Sequence, residues 1–572
     1  MRCWSVSVRL AQHWEVELGS LDALHGGPGR SRARPRRRYL LMVALLVLAS
    51  CDSVDNVTRH AGTGTPDSAG ELSETGDTTT TAEDDPTTGT SPDPDSTDGT
   101  EPPRADGPRD DCSPHEPDDA LLSGLLGADP ADVGAASASI AVSELLYDCA
   151  LEVGLAYADD PAAVVTLQSR EIQGPLLLIG RWIDAPLLAE LKRLAPERVL
   201  TAGIPRRILR YTFTDFDTEP VDLDPEPRLS LDGLSTERVW LVDNFALAVP
   251  MAAIAHQIGV PVITVPNDIR GASAEAREMI AAASEVVLLS DFGDDAAWHL
   301  DVIRRGDEVP YGGLLLFDSE PRRRMVAIYG HPQTSGLGVL GEQGPDEAVE
   351  RLRAIARGYD ADGIAVLPTF EIIATVAAGS AGYDGNYSNE TALDVIRPWI
   401  EVAAANGIYV VLDLQPGLSD YLSQAKIYEE FLRLPHVGLA LDPEWRLKPG
   451  QRHLRQIGTV DAAEINQVVR WLAGIVREES LPQKLLVLHQ FRHSMITNRH
   501  LVETPAELAV LVHMDGQGRL ATKYSTWNAL TRQPDADQFY WGWKNFYDED
   551  SPTATPGEVL ALTPTPLFVS YQ

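Results

Sequence analysis

From Arg322 onward the chain alternates short apolar runs with amphipathic stretches. Apolar segments at 325–329, 363–367, 408–412, 437–441, 484–488, 508–512, 538–543 and 566–570 read as buried strands. Apolar positions recur at helical spacing over 345–357, 390–405, 418–432 and 461–479, between successive strands. The connections after the fifth, sixth and seventh strands carry shorter or weaker helical patterns. Eight strands in this length fit a C-terminal (β/α)8 TIM-like barrel over 322–572, with a doubly wound open sheet as the alternative.

Upstream, two stretches share one order of elements. Gly174-Pro-Leu-Leu-Leu-Ile-Gly180 reads as a buried strand, 187–194 as an amphipathic helix and 198–203 as a second strand. Gly259-Val-Pro-Val-Ile-Thr-Val265, then 274–280, then 285–290 repeat the sequence of types. Strand, helix, strand is the grammar of a parallel α/β sheet, and the repetition implies an internal duplication. The expected fold class is therefore α/β: a Rossmann-like parallel repeat domain over 112–320, followed by the barrel.

These two units resemble the type 2 cell-wall-binding repeat of bacterial surface proteins over about 140–315. The matching features are the G-P or G-x-P apolar strand, the helix-to-strand step LAELKRLAPERVLTAG, and Asp243-Asn-Phe-Ala-Leu247 before the second unit. The resemblance implies non-covalent binding of a cell-wall or envelope polysaccharide. A plain α/β domain serving as spacer or dimer surface is the other reading. No G-x-G-x-x-G or Walker loop marks a nucleotide site.

Composition changes the picture at the N-terminus. Arg32 to Arg38 is basic, and Tyr39 to Ala49 is an apolar run too short to span a bilayer but suited to a signal-peptide core. It ends in Leu48-Ala49-Ser50-Cys51, which resembles a bacterial lipobox. The resemblance implies that Cys51 is lipidated and that 1–51 form a signal peptide of an exported, membrane-anchored lipoprotein. Residues 52–111 contain no aromatic residue and are rich in Thr, Asp, Ser, Gly, Pro and Glu, so they read as a disordered acidic linker. Of the four cysteines, Cys112 and Cys149 are then the pair left in an exported chain. A disulfide between them is expected, with two buried free thiols as the alternative. A formal net charge of −37 argues against nucleic acid and anionic membrane surfaces as partners.

Barrel enzymes work at the carboxyl ends of their strands. In strand order those ends supply Tyr329 and His331; Thr369 and Glu371; Asp413 and Gln415; Asp442, Glu444 and Trp445; His489, Gln490 and Arg492; His513 and Asp515; Trp543 and Lys544; Tyr571 and Gln572. An extended Asp442-Pro-Glu444 segment would place both acids on one face. Glycoside hydrolysis needs one carboxylic acid to protonate the leaving oxygen and a second carboxylate. Glu444 is the candidate acid, with Asp442, Asp413 and Asp515 as candidate partners. Tyr329, His331, Glu371, Trp445, His489, Arg492, His513, Trp543 and Lys544 are the candidate substrate contacts.

Leu441-Asp-Pro-Glu-Trp445 resembles the fourth-strand D-x-E of chitinase-like and lysozyme-type barrel glycosidases. It lacks the former's upstream Asp (Ala440 here) and the latter's Asp after the first strand (Tyr329-Gly-His331 here). The resemblance implies hydrolysis of an envelope glycan without a cofactor. Two other readings remain: a surface lipoprotein that only binds polysaccharide, and a metal-dependent hydrolase using His331, His489, His513 and a carboxylate, since histidines after strands five and six resemble those of amidohydrolases.

Overall fold

The structure is a computed structural model that describes residues 112–115, 134–170, 172–224, 237–243, 245–318, 322–360 and 363–572. The expected signal peptide, the lipobox-like segment with Cys51 and the expected acidic linker lie outside the described residues.

Eight parallel strands close into a barrel: β1 Arg323–Gly330, β2 Ala365–Ala377, β3 Tyr409–Leu414, β4 Val437–Leu441, β5 Lys484–His489, β6 Leu508–Met514, β7 Tyr540–Asn545 and β8 Phe568–Tyr571. Each pairs with the next, and β8 pairs with β1 through Phe568↔Met325 to Tyr571↔Ile328. Closure leaves the sheet without an edge, and both faces are buried, so the strands read in sequence as near-continuous apolar runs. The open-sheet alternative is excluded by the β8–β1 pairing.

Side-chain direction alternates along each strand. Met325, Leu367, Tyr409, Leu485, Leu511 and Phe568 fill the barrel's interior with small residues such as Ala440 and Ala509. The alternate positions, such as Val410, Leu439, Leu486 and Val510, pack outward against helices. Gly542 sits on the inward face of β7, where a Cβ would stand 2.4 Å from Nδ1 of His513. Glycine there makes room for the histidine.

The outer ring begins with α1 Pro345–Ala356, α2 Leu393–Asn406, a broken segment from Tyr421 to Leu432, and α3 Ala462–Glu478. In α3 the buried Ile465, Val468, Val469, Leu472, Ile475 and Val476 fall at three- and four-residue spacing, and Asp461 caps its first turn. Leu520–Thr531 and the short Pro556–Leu560 follow β6 and β7.

Between β5 and β6 no α-helix forms among the described residues, only 3-10 turns at His493–Met495 and Arg499–Leu501. Elements from upstream cover that wall. Arg270, fully buried, donates from Nη2 to the carbonyl of Ala506 at 2.8 Å. Trp298 lies between two guanidinium groups, those of Arg270 and Arg477, each 4.4 Å from its ring centre. The segment leading into β1 closes the barrel's lower end: Val309, Leu316 and Phe317 belong to the interior cluster, and Gln483 donates to the carbonyl of Leu314 at 2.8 Å.

Upstream lie two parallel sheets of one topology. In the first, Glu152–Tyr157 is flanked by Leu176–Ile179 and Arg198–Thr201, with Thr218–Pro220 added at the edge. In the second, Arg238–Val242 is flanked by Val262–Thr264 and Glu285–Leu288. Each repeat therefore begins one strand earlier than the apolar patterns suggest, and that first strand is central. A disulfide joins Cys112 to Cys149, with Cα atoms 5.2 Å apart. The second sheet divides its faces: Trp240 and Val242 pack with the first repeat, Val239 and Leu241 with the cluster that runs into the barrel.

Candidate active site at the barrel mouth

Positions i+2 and i+4 from the inward-facing interior residues carry the chemistry. Tyr329 on β1, Glu371 on β2, Asp413 on β3, His489 on β5, His513 on β6 and Lys544 on β7 all belong to the inward register, and all are buried.

His489 is the centre. Its Nε2 lies 3.1 Å from Oε1 of Glu371 and 3.7 Å from Oδ1 of Asp413, and its Nδ1 lies 3.1 Å from Oδ2 of Asp515. Burial alone would lower the histidine's pKa, but the Asp515, Glu371 and Asp413 carboxylates outweigh it and hold it well above the usual range. His489 is thus an imidazolium clamped between acids. His513, its ring centre 5.2 Å away, goes the opposite way. Burial and then the positive charges of His489 and Lys544 keep it neutral, and its Nε2 meets Oγ of Ser570 at 2.8 Å.

Asp413 accepts from the hydroxyl of Tyr329 at 2.8 Å, and Gln415 donates to that hydroxyl at 3.3 Å. Burial, with Glu371 adding repulsion and His489 opposing it, pushes the Asp413 carboxyl up to about 6. The Lys544 ammonium sits 3.3 Å from the ring centre of Tyr329. It is positioned from behind by Lys523, whose Nζ donates to the Lys544 carbonyl at 2.8 Å and pairs with buried Asp550.

At the end of β4 the geometry differs from the extended segment expected. Pro443–Trp445 is a 3-10 turn, and Asp442 caps it by accepting from the Glu444 amide at 3.1 Å. Proline ends the strand and asparagine-like capping takes over, so the acids do not project as an i, i+2 pair. Asp442 is buried and its pKa stands well above the ordinary range, first through burial. Glu444 is half-buried on the turn, and burial followed by repulsion from Asp515 pushes it up to about 7. The loop returns tightly over this turn: Gly458 donates to the Glu444 carbonyl at 2.7 Å, and a Cβ at Gly458 would stand 2.3 Å from the Pro443 carbonyl oxygen. Arg446 is engaged elsewhere, with Glu464 at 2.8 Å. Trp445 stands edge-on to His453, 5.4 Å between ring centres, and is half-buried.

Several expected contacts are placed otherwise. Trp543 is fully buried on the outward face of β7 against Trp527, with ring centres 5.9 Å apart. Adjacent residues of a strand point to opposite sides, so Lys544 and Trp543 cannot both line the mouth. Glu371 is inside β2, not at its end, because that strand continues to Ala377 and pairs with Ser388–Glu390 as a rim hairpin. His331 is turned to Thr391, at 3.0 Å. Arg492 is exposed, stacked over Phe491. Among the described residues no group of three His, Cys, Asp or Glu side chains is arranged to hold a metal ion, so His331, His489 and His513 do not form the ligand set considered above. Ser570, Lys523 and Asp550 were not foreseen. Ser570 had a signal, a lone hydroxyl on an otherwise apolar strand; the Lys523–Asp550 pair, 27 residues apart, had none.

No protein-family model matches the chain, and no curated protein matches it. Among solved structures it is similar to two of dihydropteroate synthase from Xanthomonas albilineans. One holds 4-aminobenzoic acid (13% identity, TM-score 0.20) and the other indole-2-carboxylic acid and 6-chloroguanine (12% identity, TM-score 0.20), each match covering 44% of this chain and 87% of the other.

Proposed function

We propose that the chain is an exported envelope protein whose barrel hydrolyses an envelope glycan at this mouth. The observation that carries the reading is a raised carboxyl group with a second carboxyl group beside it. Glu444, half-buried, is held up to about 7 and keeps a proton near neutrality, as a general acid must. Asp515, whose charge acts on Glu444, lies with Oδ2 3.1 Å from Nδ1 of His489.

In this reading Glu444 donates its proton to the glycosidic oxygen as the bond to the anomeric carbon breaks. Asp515 is the second carboxylate, facing the developing positive charge on the sugar with its free Oδ1. His489 is a positioning residue: it fixes Asp515 from Nδ1 and is itself fixed from Nε2 by Glu371. Trp445 supplies an apolar wall beside the acid. Anchorage through a lipid at Cys51 and retention on wall polysaccharide by the two upstream repeats would place the mouth next to its polymer.

The test is glycan release from purified bacterial envelope by the full chain and by Glu444→Gln. Release that disappears in the variant supports the assignment, and equal release moves the acid elsewhere. No release from either protein, with both sedimenting on the envelope, leaves a polysaccharide-binding lipoprotein instead.

A further inference from the structure

The mouth carries more acid than its own bases balance. Glu371, Asp413, Asp442, Glu444 and Asp515 converge there, whereas the cationic groups facing them are His489 and Lys544, with Arg492 exposed at the rim. Within the buried part, both oxygens of Glu371, Oδ1 of Asp413 and Oδ1 of Asp515 accept no hydrogen bond, and the His489 ring, 3.1 Å from Glu371 and 3.7 Å from Asp413, donates none to them. A buried carboxylate oxygen without a donor costs on the order of 1–3 kcal/mol or more, so such oxygens mark a place that an incoming donor improves.

We infer that the sugar this site takes bears a free, protonated amine: an amino sugar that is not N-acetylated. The inference rests on the glycosidase reading above and adds the substrate class to it. An ammonium group supplies what the mouth lacks, a positive charge with three donors in a compact volume. A neutral N-acetyl group supplies neither the charge nor the count of donors. A divalent cation would use the same charge, but the described side chains do not offer it a ligand set. The formal net charge of −37 acts in the same direction on any cationic polymer.

The experiment compares bacterial envelope before and after its amines are capped with acetic anhydride, using the full chain. The expected result is that release falls by about tenfold or more on capping, in line with electrostatic attraction of this size. Equal release from both preparations overturns the inference while leaving the glycosidase reading intact. If neither preparation yields sugar, the glycosidase reading fails, and calorimetry with glucosamine oligosaccharides and their N-acetylated counterparts decides this one alone. Preferential binding of the free amines supports it, and equal or absent binding overturns it. Mild alkali, which strips ester-linked amino acids but spares amino sugars, separates the two carriers of amines. Unchanged release after alkali supports the amino sugar; lost release overturns it in favour of an esterified amino acid.

Discussion

Asp515 and Glu371 hold the same imidazole from opposite sides, one at Nδ1 and the other at Nε2 of His489, each at 3.1 Å. A carboxylate at each ring nitrogen favours the protonated ring. Removing His489 would leave buried carboxylates facing one another. His489→Gln is expected to lower stability by about 3–5 kcal/mol at neutral pH, the cost of breaking a buried ion pair from one side. Urea unfolding at pH 7 and pH 5 checks this, and the deficit should shrink at pH 5 as Asp413 gains its proton.

Glu444 and Asp413 are raised to about 7 and about 6, above the values they would have in the unfolded chain. Between about pH 4 and those values the folded protein holds protons that the unfolded chain has released. Stability from these groups is therefore fully present at low pH and is lost as pH rises to about 7. Glu444→Gln removes one such group, so its unfolding midpoint relative to the parent should improve from pH 5 to pH 8. Any hydrolysis should decline above about pH 7 for the same reason.

Lys523 is nearly fully buried, pairs with Asp550 and holds the Lys544 carbonyl. Lys523→Met strands the Asp550 carboxylate and should cost about 3–5 kcal/mol. Replacing both partners, as Lys523→Met with Asp550→Leu, should recover part of that in urea denaturation. Equal losses in single and double variants would count against the pair.

Glu152 and Arg198 face each other across the first repeat, and Arg238 and Glu285 occupy the same register in the second with the charges exchanged. The position needs opposite charges but not a given order. Glu152→Arg alone should cost about 0.2–1 kcal/mol, and Glu152→Arg with Arg198→Glu should recover part of the melting temperature, the rest being lost with the Arg198–Glu219 pair.

The barrel was legible because its strands are buried on both faces and stay apolar, so 437–441 and the β4 strand Val437–Leu441 coincide. β2 extends far past its expected end because Thr369 and Glu371 point inward and break the apolar run, while Thr375, past a bulge, turns outward to Gln424 and the backbone ladder continues. The central repeat strands Glu152–Tyr157 and Arg238–Val242 begin with charged residues that pair across the sheet, which hid them. The ring of polar residues was readable as a set. Which of two neighbours enters the mouth depends on strand parity, and parity separates Lys544 from Trp543. The 3-10 turn at Glu444 depends on its own cap and on Gly458 arriving from 14 residues away, a contact no local pattern announces.

The missing helix between β5 and β6 bears on ancestry and inheritance. A barrel whose wall is completed by Arg270 and Trp298, and whose floor is Leu316 and Phe317, could not be transferred between genes without its upstream neighbour. Recombination at the seam near residue 320 would deliver a barrel open on one side. Lineages carrying this pair of folds should therefore keep them together and in this order, the second repeat having become a shared possession of both.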